Sequence, residues 1–123
     1  MDRMARIKEL GLELPERAPP PIAAYVAARE AGGLLFVSGQ GPTGPDGRGL
    51  RGKAGVEVDL EEATRRARLT GINLLAAVRD HCGDLERVEA VVKLLGMVNA
   101  PPDFTKHPLV IDGCSRLLLE VFG

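Results

Sequence analysis

Aromatic residues are scarce in this chain: one Tyr, three Phe and no Trp among 123 residues. The core must therefore be aliphatic. The stacking platform on which proteins usually hold single-stranded nucleic acid has little material here. An excess of one charge is also missing. Sixteen basic and 17 acidic residues leave a net charge of −1, too weak a field to draw the chain to nucleic acid or to an anionic membrane. No apolar run approaches the ~20 residues of a membrane span. The N-terminus lacks the apolar block of a secretory signal. These absences favour a cytoplasmic location, where Cys82 and Cys114 are reduced thiols.

What is present is ordinary globular material, 45% hydrophobic and 27% charged, in a length that suits one domain with one core. Residues 2–10 carry Met4, Ile7 and Leu10 at a helical spacing. Pro15 and the run Pro19-Pro20-Pro21 then predict an extended linker. Tyr25 to Glu30 reads as a strand and Leu34 to Val37 as a buried one, joined by a Gly32-Gly33 turn into a hairpin. Residues 39–55 hold seven glycines and two prolines and predict a loop with a turn at Asp46-Gly47. Asp59 starts the clearest helix, with Glu62 three residues on as in a capping box. Its apolar face runs through Leu60, Ala63, Ala67, Gly71, Leu74, Val78 and Cys82, and Gly83 suits a left-handed stop. Val88 to Val98 is rich in Val, Leu and Met and predicts a strand buried on both faces, central in its sheet. After the loop 99–103, the residues Val110, Cys114, Leu117, Leu118 and Val121 mark a second amphipathic helix that Gly123 can end. The order implies an α+β domain with two long helices on one sheet. Three strands are few for two such helices.

Most chemical motifs reduce to structure. Gly39, Gly41 and Gly44 have the spacing of a dinucleotide fingerprint, but Pro45-Asp46-Gly47 stands where a helix must begin to meet the pyrophosphate. His81, Cys82, His107 and Cys114 form no metal-ligand pair at a usual spacing, so neither metal nor other cofactor is expected. Cys114 falls on the apolar face of its helix and reads as an inert thiol. No serine nucleophile elbow is present. The segment Val37-Ser38-Gly39-Gln40-Gly41-Pro42 remains: a strand ends in a hydroxyl, a glycine and an amide. Glycine lets a ligand approach the backbone, whose free N–H groups can bind a carboxylate or carbonyl oxygen. The alternative reading is a plain strand-to-loop turn.

Three segments together resemble the Rid (reactive intermediate deaminase), or YjgF-like, family. Pro21-Ile22-Ala23-Ala24-Tyr25-Val26 is similar to its N-terminal strand entry. Phe36-Val37-Ser38-Gly39-Gln40-Gly41-Pro42 matches its S-G-Q-x-P signature. Val92 to Val98, with Asp103-Phe104 beyond, resembles the strand before the last helix. Gly11 to Pro15 resembles a longer subgroup with an extra N-terminal helix and no firmly established activity. The resemblance implies a chorismate-mutase-like α+β fold, with a mixed sheet, two long helices on one face and the short extra helix. It also implies homotrimers with a ligand cleft at each interface, and hydrolysis of enamines and imines to keto acids and ammonia. Tyr25, Ser38 and Gly39 become candidate substrate-binding residues. Asp112 stands where many members have Asn, and its charge would repel a carboxylate substrate.

In the family, an arginine and a glutamate on two strands after the second helix complete the site, and this sequence stops at Gly123 before them. One Rid-type domain over residues 1–123, C-terminally incomplete, is thus expected, with no identifiable catalytic residue. Arg116 and Glu120 do not match the family pair and are expected to be solvated. The leading functional expectation is a small-molecule-binding protein for carbonyl or imine metabolites, with imine hydrolysis implied by the resemblance. A non-catalytic ligand-binding trimer is the first alternative. The second is an RNA-directed role like that of relatives labelled endoribonucleases or translation inhibitors, which the charge and the few aromatics oppose. A purely structural oligomer is the last.

Overall fold

The computed structural model describes residues 2–123. Its elements are α1 (Arg3–Glu9), β1 (Ala28–Ala31), β2 (Leu34–Val37), α2 (Leu60–Cys82) and α3 (His107–Phe122). The α+β class, the two long helices and the extra N-terminal helix are as the sequence implied.

Local chemistry explains most boundaries. Asp2 caps α1 by accepting from the Ala5 N–H at 2.7 Å. Asp59 Oδ1 caps α2 by accepting from the Glu62 N–H at 2.8 Å, satisfying one of the orphan donors of a helix start. The box is only half closed, because the Glu62 carboxylate is occupied by Arg65 at 2.7 Å and Arg66 at 2.6 Å. Gly83 ends α2 with φ 88° and donates to the Arg79 carbonyl, a conformation that costs glycine little. Gly32 and Gly33, at φ 58° and 78°, link β1 to β2. Two successive positive φ values are the mark of the tight turn whose twist matches a hairpin. The strands pair antiparallel from Ala28↔Val37 to Ala31↔Leu34.

The core lies between α2 and α3. Leu75, Leu85 and Leu117 are fully buried, and Ile7 of α1 and Val121 complete their cluster. Each such side chain contributes about 1.5–3 kcal/mol relative to exposure. A second cluster of Ala54, Val58, Ala63 and Val110 pins the end of the glycine-rich loop to the start of α2. The helices meet through two glycines. A Cβ on Gly71 would lie 2.8 Å from Leu117 Cδ2 and 3.0 Å from Cys114 Sγ, and one on Gly113 would overlap the Thr64 carbonyl. Cys114 is buried here, and burial pushes its thiol pKa up, in keeping with an inert thiol.

Three expectations are corrected. Residues 88–98 form no strand. Leu94 and Val98 face inward in part, and Gly96 passes so close to Ile111 of α3 that a Cβ would overlap it. The alternating partners Leu95 and Met97 stand open, 75% and 87% exposed, and Val92, before the inward stretch, is 78% exposed as well. The period-2 pattern is therefore expressed toward α3, but among the described residues no neighbouring strand supplies the ladder that a central strand needs. The second correction concerns β2, which alternates between half-buried and exposed instead of being buried, with Phe36 on the open face. A two-stranded ribbon has no further layer to cover both faces. The third concerns the apolar face of α2, which runs through Leu75, Ala76 and Ala77 where Leu74 and Val78 were expected; the latter two are half-buried. Arg116 is solvated as expected, but Glu120 is tied to Arg68 of α2 at 2.9 Å.

Two outcomes follow from this packing. Gly113→Ala should destabilise the protein by about 1–3 kcal/mol, although alanine is the better helix former, because the new methyl group forces α3 off Thr64. Urea unfolding measures it, and an unchanged midpoint would contradict the close approach. Glu62 is held at a pKa of about 2 by its hydrogen bonds to Arg65 and then Arg66. A carboxyl group depressed in the folded state stabilises above its usual titration range and loses that contribution as pH falls toward 2. Glu62→Gln should therefore flatten the fall in melting temperature between pH 5 and 2, a window set by this shift and the ordinary carboxyl value of about 4.3.

Candidate functional site

The chain leaves β2 at Val37 and enters the glycine-rich loop beside Tyr25. Pro21, Ile22, Tyr25, Ala27, Gly39, Gln40, Gly41 and Thr43 surround a depression of about 210 Å³ there. Local bonds build each wall. The Ser38 N–H donates to the Ala27 carbonyl at 2.9 Å and its hydroxyl donates to the Val26 carbonyl at 2.5 Å. Ser38 thus extends the hairpin by one step and fixes where Gly39 departs. The Tyr25 hydroxyl reaches back to accept from the Ile22 N–H at 3.4 Å, a long and weak bond. The Thr43 N–H donates to the Gly41 carbonyl at 2.9 Å. This three-residue turn is centred on Pro42, whose fixed φ suits it.

Backbone accounting identifies what the depression offers. Among the described residues, the N–H groups of Gly39, Gln40 and Gly41 donate to no protein acceptor. Pro42 has no N–H to offer. Gly39, Gln40 and Gly41 all line the depression, so these donors are available to an oxygen-bearing ligand there. The Gln40 side chain also lines the wall and makes no hydrogen bond among the described residues. The lining holds no carboxylate, His, Lys or Arg; Tyr25 contributes its only titratable group.

The structure therefore brings Tyr25 and Gly39 together in one wall and gives Ser38 a supporting position behind it. Asp112 is elsewhere. It lies on α3, 3.8 Å from Arg116, and is not among the lining residues. Sequence reading missed Pro21, Ile22, Thr43 and above all Asn73. Asn73 is on α2, only 3% exposed, and donates from Nδ2 to the carbonyls of Gly41 and Thr43, both at 3.1 Å. An Asn interrupting the apolar residues of a helix was the available signal, since a buried amide needs partners.

Other concavities and clusters have different characters. Gly55, Val56, Asp59, Leu60, Asp103, Phe104, Thr105 and Lys106 border a more open hollow at the start of α2. The Asp59 carboxylate there is already spent on capping. Glu30 on β1 accepts from His81 and Arg87, each at 2.9 Å, and these partners hold its pKa below the ordinary carboxylate range. This is a tether between hairpin and α2. Among the described residues no three His, Cys, Asp or Glu side chains gather as a metal ion would need, and no helix is long and apolar enough to cross a membrane.

Comparison with known proteins places this geometry. The family described as "YjgF/chorismate mutase-like, putative endoribonuclease" matches residues 4–123. A Trypanosoma cruzi protein called Protein TCP17 is 37% identical over 119 residues, covering 97% of this chain and 74% of that protein. A crystal structure of a "putative endoribonuclease" from Shewanella oneidensis superposes with a TM-score of 0.93 at 34% identity, over 100% of this chain and 81% of the other. The structure of a protein of unknown function from Agrobacterium tumefaciens gives a TM-score of 0.85 at 39% identity, over 98% and 73% of the two chains. With a matching family over nearly its whole length and relatives this close, the chain belongs to the YjgF/chorismate mutase-like family.

Proposed function

We propose that this chain binds a small carbonyl-bearing metabolite, a 2-keto acid or the imine related to it, in the depression between Tyr25 and the loop 39–43. The observation that carries the reading is the row of unclaimed N–H groups at Gly39, Gln40 and Gly41. Backbone amides bind oxygen without carrying a charge of their own, so they accept a carbonyl as readily as one carboxylate oxygen. Tyr25 and Ile22 supply an apolar flank for a short carbon chain. Hydrolysis of a bound imine, which likeness to Rid proteins suggests, requires a positioned water and a proton donor. Tyr25 carries the only titratable proton of this lining, so binding is the part of the reading that rests on these residues. Assembly into homotrimers belongs to the same proposal, supported by the exposed apolar side chains of Ile22, Val92, Leu95 and Met97, which a second copy would cover.

The Shewanella relative's description favours RNA as a second substrate class. Against it stand the net charge of −1 and a lining without a single cation, since phosphate contacts dominate RNA affinity.

Calorimetric titration with pyruvate, alongside an assay following loss of the imine that an amino-acid oxidase generates from alanine, tests the proposal. Saturable pyruvate binding is expected, abolished or strongly weakened by Gly39→Pro, which removes one donor. A flat response to a panel of keto acids and imines, with single-stranded RNA bound or cleaved at low salt, would replace the proposal with the RNA reading.

A further inference from the structure

We infer that Asn73, remote from the ligand, is a positioning residue that anchors the loop forming the binding wall; the inference rests on the function proposed above for the depression. Asn73 is the one buried polar side chain among the described residues. It sits in the middle of α2, where asparagine is a poorer helix former than the Leu and Ala around it. Burying an amide without partners would be costly. Its two N–H bonds are both satisfied, and both by the loop that lines the depression: Gly41 O and Thr43 O, each at 3.1 Å. Both partners are carbonyl oxygens, which accept only, so the nitrogen of the amide must be the atom that faces them.

The consequence lies in what these bonds do to the loop. The Gly41 carbonyl accepts from Asn73 and from the Thr43 N–H together, which uses both its lone pairs. The peptide between Gly41 and Pro42 is thereby held with its oxygen toward α2. The second bond does the same for the peptide after Thr43. Both carbonyl dipoles are directed toward α2. The N–H groups of Gly39, Gln40 and Gly41 lie directly before this anchor, so fixing it fixes where they stand. Pro42 supports the arrangement by fixing φ between the two anchored residues. Leu75, Ala76 and Ala77, just beyond Asn73 on α2, are almost wholly buried, so the amide is mounted on a well-packed stretch of helix. Orientation of fixed dipoles toward developing or resident charge is effective because nothing must reorganise when the ligand arrives.

The test compares the unsubstituted protein with Asn73→Leu, which keeps the branched shape and the number of side-chain heavy atoms and removes both donations. Pyruvate affinity is measured by calorimetry at a temperature where circular dichroism shows each protein folded, and amide exchange at Thr43 and Gly44 is measured by NMR. Asn73→Leu is expected to bind pyruvate at least tenfold more weakly, the scale of one lost hydrogen bond of about 1.4 kcal/mol. Affinity unchanged in a folded but less stable variant would overturn the inference and leave Asn73 a structural residue. Should the unsubstituted protein not bind pyruvate, the function proposed above fails, and amide exchange alone then decides. Faster exchange at Thr43 and Gly44 in Asn73→Leu would retain Asn73 as the anchor of the loop, and unchanged exchange would remove it. If Asn73→Leu does not fold, Asn73→Ser, which keeps a single short donor, is read by the same criteria.

Discussion

The close approach of α2 and α3 at Gly71 and Gly113 is the constraint on which the other contacts depend. Each glycine costs its helix about 1 kcal/mol of propensity relative to alanine. What offsets this is the burial of Leu75, Leu85 and Leu117, at about 1.5–3 kcal/mol each, which a wider separation would open. On the outer side of α3, Ile111 packs beneath Gly96. α2 thus carries the core on one side and, through Asn73, the anchor of the glycine-rich loop on another.

Attachment of the remaining parts is of another kind. Arg6 Nε reaches the Glu120 carbonyl at 2.9 Å, and Arg79 holds the carbonyls of Pro15 and Glu16 at 2.6 and 2.9 Å, so α1 and the linker are bonded to the helix pair. The hairpin is held by Glu30 through His81 and Arg87, half-exposed groups whose contacts are worth little individually. The depression is thus bordered by Tyr25 and by the loop that leaves the hairpin, and Asn73 ties that loop to α2.

Much of the fold was legible because the signals were local. Asp59, Gly83, Gly32-Gly33 and the Met4-Ile7-Leu10 spacing each act through their own backbone or their nearest turn. The S-G-Q segment and Tyr25 were found, and the structure unites Tyr25 with Gly39 in one wall. Asn73 was not found, because its meaning depends on a loop 30 residues away, and neither was Gly113, whose role is defined by Thr64 across an interface. Residues 88–98 were misread for a related reason. Their composition states that they are apolar, while a ladder depends on neighbours that composition does not name. Asp112 was selected by likeness alone, and within this chain it remains on α3 with Arg116.

The central claim is that a ligand oxygen is held by the backbone of residues 39–41 and not by a charged side chain. A crystal structure of the protein with pyruvate tests it most directly. The account predicts a pyruvate oxygen within hydrogen-bond distance of at least two of the N–H groups of Gly39, Gln40 and Gly41, with the Gly41 and Thr43 carbonyls still on Asn73. Pyruvate seated in the hollow beside Lys106, or held at a site where those three N–H groups take no part, would contradict it.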